Sequence, residues 1–366
     1  MSTDKIYTAN KIFTGHEWLH DHAIIVSDNI IKDVLPVTSL SQKDKAPYQA
    51  EFIVPAFIDA QIYGAGKKLF AVYPNPEALH LLNEYCEEGG AAFCMPTVAT
   101  NTYEVMFACI DAVRDYWKQD GRGVLGLHLE GPWINELKKG AHVAALIHSP
   151  TIEQVKKLLD YGEGIIKIIT LAPEVCSEEI IQLILSKNII ISAGHSNASY
   201  EQANNSFSSG ISTVTHLYNA MSPLQHRAPG LVGASLDHDS VFASIIPDGY
   251  HVDFAAVRIA KKAMGERLFA ITDAVTETTE GYYQHYYTNE KYEAGGILSG
   301  SALTMHKAFK NLMAGCDVAF EEALRMCSLY PAQVLKADDQ LGRIKKDYKA
   351  ALLMLDADKE IIKLVN

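Results

Sequence analysis

The sequence predicts an α/β chain: a (β/α)8 TIM barrel with a small β-sandwich domain formed from both termini. Three observations carry this. Eight short apolar runs begin near residues 52, 90, 124, 165, 189, 211, 241 and 268, with mostly helical patterns between them, which favours a parallel barrel over a doubly wound sheet. Polar residues with useful chemistry stand just past the ends of these runs, where barrel enzymes keep their sites. Both ends of the chain differ in texture, being short alternating segments divided by turn residues. The 366 residues suffice for a barrel of ~250 residues and a smaller unit.

In order, residues 1–54 offer alternating segments at 5–8, 11–14, 23–26 and 30–34, and no catalytic cluster. His16, His20 and His22 lie among turn residues there and read as exposed or structural. The first barrel run, 52–59, leads into Gln61-Ile-Tyr63. Helical spacing follows at 74–88, a strand at 89–97, and an amphipathic helix at 103–119. A strand at 124–129 ends at Glu130, and a helix with Thr151 as N-cap and Glu153 in its first turn spans 151–161. Further strands end near Ala172, His195, His216, Asp248 and Asp273. The aromatic-rich stretch after Asp273 reads as a hairpin or lid whose tyrosines pack locally. A helix opens near Leu303, helical patterns cover 317–327 and 331–335, and 342–366 returns to short strands. Residues 1–54 and 338–366 are thus expected to form one discontinuous β domain around a barrel at 55–337.

Bulk properties narrow the class. A formal net charge of -12 argues against a nucleic-acid surface, which needs a basic face. No apolar run approaches the roughly 18 residues of a membrane span, and the opening residues lack the apolar core of a secretory signal. Six cysteines are scattered without a Cys-x-x-Cys pair, as reduced core thiols are. The expectation is a cytoplasmic protein.

The chemistry centres on residues 126–142, GLHLEGPWINELKKGAH. Glu130 ends a buried-strand pattern and Gly131-Pro132 then turn the chain. Two later runs end in His195 and His216, so Glu, His and His on three strand ends form a plausible metal triad. Asp273 ends the eighth run. His128, two residues before Glu130, shares its strand face and reads as support or packing. Lys138 and Lys139 read as solvated.

With these residues in view, the chain resembles the N-acetylglucosamine-6-phosphate deacetylase family of the amidohydrolase superfamily. Six stretches carry the resemblance in order: HLEGPWINELKKGAH, SAGHSNASYEQA, THLYNAMSPLQHRAPGLVGA, PDGYHVD, TDAVTET and LSGSALTM. The resemblance implies a divalent metal on Glu130, His195 and His216, zinc first, with iron, cobalt or manganese as alternatives. It implies Asp273 as acid/base and His142 as the group orienting the acetyl carbonyl. Asn219, Ala220, Arg227 and His251 would hold the sugar phosphate, the arginine in relatives coming from the neighbouring subunit of a homodimer. The implied reaction is hydrolysis of the N-acetyl group of N-acetylglucosamine 6-phosphate, in amino-sugar catabolism. The galactosamine epimer and a catalytically impaired sugar-phosphate-binding protein are the rival readings.

Two departures stand out. Superfamily members commonly carry His-x-His after the first strand, whereas this chain has Gln61-Ile-Tyr63. Gln61 is therefore a possible contributor from the first loop, and a single metal is expected. Lys349-Ala-Ala-Leu stands where relatives often have Lys-x-Ala-Asp-Leu, far from the expected chemistry.

Overall fold

The computed structural model describes residues 4–42 and 48–366. Residues 1–3 and 43–47, which belong to the stretch expected to form the N-terminal β unit, lie outside the described residues.

Eight parallel strands form the barrel: β1 (Phe57–Ile62), β2 (Ala91–Ala99), β3 (Leu127–Glu130), β4 (Ile166–Leu171), β5 (Ile190–Ala193), β6 (Thr213–Val214), β7 (Phe242–Ile245) and β8 (Leu268–Ala270). Every residue of β1 is buried, as in strands covered on both faces, and such strands read as continuous apolar runs. The ring closes just past β8. Ile62 bridges Ala274 in parallel, Asp273 N donates to Gln61 O (2.9 Å), and Tyr63 N donates to Ala274 O (2.8 Å). Closure therefore falls on the carboxyl-terminal rim, between the first loop and Asp273.

The run expected as one strand from Phe52 is two. Ala50–Pro55 joins the terminal sheet, and β1 begins only at Phe57. The change of partner is abrupt, because Ala56 N donates to Ala351 O whereas Phe57 N donates to Gly90 O. Apolar residues on both sides of the switch hide it from sequence patterning.

In the terminal sheet, Lys5–Phe13 is a single strand rather than two segments. Its first half pairs with His22–Ser27 and its second with Ala50–Pro55, so it links two leaves. Leu352–Leu355 and Ile361–Val365 extend the Ala50–Pro55 side. Ile12, Ile24, Ile53 and Leu352 belong to a core of this sheet's own.

Helices at Pro76–Glu88, Tyr103–Lys118, Ile152–Tyr161 and Glu178–Ser186 occupy the stretches that periodicity marks. In the second, Met106, Cys109, Ile110 and Val113 are buried, the i, i+3, i+4, i+7 stripe of a helix laid on a core. Thr151 caps the third in a full capping box with Gln154, satisfying two otherwise orphan donors. Past Asp273, Tyr286–Thr288, Lys291–Ala294 and Ile297–Leu298 form the expected hairpin with a third short strand. Among the described residues no helix is long and apolar enough to cross a membrane.

Candidate active site

The strand ends bring the expected ligands together. Glu130 is the last residue of β3, and His195 and His216 lie two residues past the ends of β5 and β6. His195 and His216, like Asp273, adopt left-handed backbone, with φ of 48°, 36° and 54°, a conformation uncommon away from glycine that clusters at functional sites. Tight packing prepares the turns. A Cβ on Gly131 would fall 2.2 Å from Thr100 Oγ1, and one on Gly194 would fall 2.7 Å from Thr170 Cγ2.

The resulting cluster is compact and buried. His216 Nε2 lies 3.1 Å and His195 Nε2 3.4 Å from Glu130 Oε1, and the two ring nitrogens are 3.1 Å apart. Among the described residues, these three are the group whose ligand atoms converge closely enough to hold a metal ion. Protonation fits that use. His195 Nδ1 lies 2.9 Å from the carbonyl of Lys138, which can only accept, so Nδ1 carries a hydrogen and Nε2 is the nitrogen turned to the cluster. One carboxylate oxygen and two imidazole nitrogens suit a divalent first-row cation.

Burial and charge set the protonation of the groups around it. Burial alone would raise Glu130, but the imidazoles of His195, His142 and His216 outweigh it and hold the carboxyl well below its usual range. Burial lowers His216, against the pull of Glu130. His142, with Nε2 3.3 Å from Glu130 Oε2 and Nδ1 2.7 Å from Thr100 Oγ1, is lowered to about 4, first by burial and then by His195. Asp273 is pushed well above the carboxylate range, first by burial and then by the charges of Glu130, Asp59 and Asp248. Its Oδ1 accepts from Gln61 Nε2 at 2.7 Å.

A cavity of about 200 Å³ opens over this cluster, room for a small molecule rather than a water or two. Glu130, His142, His195, His216, Asn219, Ala220, His251 and Asp273 all line it. His251 is fixed by its Nδ1 contact with Asp248 (2.6 Å). Gln61 is not a wall residue but reaches Glu130 and Asp273 from behind. Arg227 is elsewhere, along a separate groove with Ser199 and Gln225. His128 sits below the cluster between Thr97 and Thr170 (3.5 and 2.7 Å), and burial lowers it to about 4, so it serves as support.

Several neighbours escape sequence reasoning. Thr100 carries His142, the main-chain carbonyl of Lys138 carries His195, and Ser244 Oγ accepts from His216 N (2.8 Å). Thr100 did offer a signal, since it is polar and follows a strand. Tyr283 and His285 correct the expectation of purely local packing. Tyr283 joins Tyr63, Leu69 and Val275 in a small core, yet both residues line the cavity.

Fold and cluster together define a barrel hydrolase, and comparison with known proteins agrees. The amidohydrolase family model matches residues 52–365 and the NagA composite domain matches residues 6–45. The chain belongs to the amidohydrolase family, and within it to the N-acetylglucosamine-6-phosphate deacetylase group. An N-acetylglucosamine-6-phosphate deacetylase of Haemophilus influenzae is 33% identical, over 96% of this chain and 95% of the relative. An N-acetylgalactosamine-6-phosphate deacetylase of Escherichia coli O157:H7 is 30% identical, over 96% and 95%. The crystal structure of N-acetylglucosamine-6-phosphate deacetylase from Pasteurella multocida superposes with a TM-score of 0.94 at 32% identity, covering 99% of this chain and 98% of that one.

Proposed function

We propose that this chain hydrolyses the N-acetyl group of N-acetylglucosamine 6-phosphate, giving glucosamine 6-phosphate and acetate, as a step of amino-sugar catabolism. The observation that carries the reading is the Glu130, His195, His216 cluster facing Asp273 across one cavity. These three residues would hold a single divalent cation, zinc first. When bound, such a cation lowers the pKa of water toward ~7 and polarises a carbonyl.

The chain's own groups do the rest. Asp273 takes the proton of the attacking water and passes it to the amide nitrogen as the carbon–nitrogen bond breaks, so one carboxylate serves both steps. His142 orients the acetyl carbonyl and donates to its developing negative charge, a contribution that depends on being fixed in advance, here by Thr100. Asn219, Ala220 and His251 hold the sugar phosphate, whose remote binding energy positions the amide. Arg227 lies off this cavity, which favours a homodimer in which each copy's Arg227 reaches its partner's phosphate, where a planar guanidinium pairs well.

The same reading divides the chain into a β domain of 1–54 with 338–366 and a barrel of 55–337. It also makes the protein cytoplasmic, in keeping with six unpaired cysteines. The galacto epimer is the second reading, favoured by the Escherichia coli O157:H7 relative.

Acetate release from both epimers, measured before chelation, after chelation and after zinc is returned, tests this. Turnover that disappears and returns with the metal, faster on the gluco epimer, is expected. Preference for the galacto epimer moves the assignment to the second reading. Binding of either sugar phosphate without release under any metal would make the chain a binding protein.

A further inference from the structure

Tyr63 is a buried residue at the head of the first loop, and its hydroxyl contacts Glu130 Oε2. An ionised carboxylate only accepts hydrogen bonds, so the phenol is the donor. Gln61 presents two amide protons to three acceptors: Asp273 Oδ1 at 2.7 Å, Tyr63 Oη at 2.8 Å and Glu130 Oε1 at 3.1 Å. The two nearer acceptors take the two protons. The phenol, its O–H donated to Glu130, can accept through its oxygen lone pair. Oε1 is left facing the ring nitrogens of His216 and His195. The two oxygens of Glu130 are thereby made unlike: Oε2 is engaged by Tyr63 and His142, while Oε1 is open toward the imidazoles.

We propose that Tyr63 is a positioning residue for the metal site, its hydroxyl holding Glu130 Oε2 out of coordination so that Glu130 binds the cation through Oε1 alone, while Gln61 ties that hydroxyl to Asp273. This rests on the metal-site reading above. Main-chain bonds anchor the relay at the barrel closure, through Asp273 N to Gln61 O and Tyr63 N to Ala274 O. The carboxylate that binds the metal and the carboxylate that moves the proton are therefore set by one pair of side chains.

Tyr63→Phe removes only the hydroxyl and keeps the ring's packing on Leu69, Val275 and Tyr283. Oε2 then keeps only the longer contact with His142 (3.3 Å), and the carboxylate can offer both oxygens to a cation. The test uses cobalt(II) in place of the native metal in wild type and in Tyr63→Phe. It reads the visible absorption of the bound ion and the affinity by competition with a chelator. The variant is expected to show a weaker, shifted absorption, as added coordination gives, and to bind about tenfold more weakly, as loss of an outer hydrogen bond on a metal ligand does. A spectrum unchanged from wild type overturns the proposal. Should the variant fail to fold, a crystal structure of the zinc-loaded wild type decides: Glu130 bound through one oxygen with Tyr63 on the other upholds it, and Glu130 bound through both overturns it. A wild type that takes up neither ion overturns the metal reading itself, and this inference with it.

Discussion

The site has two halves built on opposite principles. On the side of β3, β5 and β6, Glu130, His195 and His216 crowd their lone pairs together, an arrangement that repels itself unless a cation or a proton lies between. On the side where β1 meets the end of β8, Gln61, Tyr63, Thr272, Asp59 and Asp273 form a relay in which acceptors meet donors. The first half is incomplete without a ligand, whereas the second is largely complete within the chain. Metal binding and proton transfer should accordingly separate under mutation.

The largest effects test that separation. His195→Ala should remove stoichiometric zinc and all measurable turnover, because two ligands do not hold the ion at working concentrations. Asp273→Asn should keep zinc at the wild-type ratio while kcat falls by about 10²- to 10⁴-fold, the usual weight of a positioned acid/base. Metal analysis beside steady-state kinetics reads both. Loss of zinc from Asp273→Asn would make the two halves one unit.

A smaller effect probes the closure half alone. Asp59 is buried and pushed up to about 6 by that burial, against hydrogen bonds from Thr272 Oγ1 (2.5 Å), Thr272 N (3.1 Å) and Gln61 N (3.3 Å). Its raised value means that ionisation opposes folding, so the penalty is absent below its unfolded value and full above about pH 6. Thr272→Val removes the side-chain donor and should cost about 1–3 kcal/mol at pH 7. The deficit should shrink toward pH 5, where Asp59 is protonated and needs that donor less. Urea unfolding at the two pH values measures it, and an equal deficit at both would remove Asp59 from the explanation.

The two halves also differed in how legible they were. Glu130, His195 and His216 could be read because each follows an apolar run and because metal ligands are a restricted set of residue types. Asp273 shared the strand-end position. Gln61 and Tyr63 stood out only against the resemblance, and their contacts could not be read, because the partners meet only when the barrel closes, 212 residues apart for Gln61 and Asp273. The fold followed the same rule. Barrel strands and long helices were visible in periodicity, but the switch from terminal sheet to barrel at Ala56 was not, since both sides are apolar. Arg227 was legible as a motif residue, yet its distance from the cavity is a property of the loop's path.

His285 gives the smallest effect and a control on burial. Like His142 it is held at about 4 by burial, yet unlike His142 it has no carboxylate contact, and its Nδ1 is buried without a partner among the described residues. A folded value below the unfolded ~6.5 means the unfolded chain binds the extra proton between those limits. The histidine's contribution to stability is therefore intact above about pH 6.5 and is lost as pH falls toward 4. Wild type should lose about 2 kcal/mol relative to His285→Leu between pH 7 and 4.5, because each pH step of one below the unfolded value costs ~1.4 kcal/mol. Urea titrations of the pair read this directly. Parallel curves would mean that His285 finds a proton acceptor on acidification, and burial alone would then no longer account for its low value.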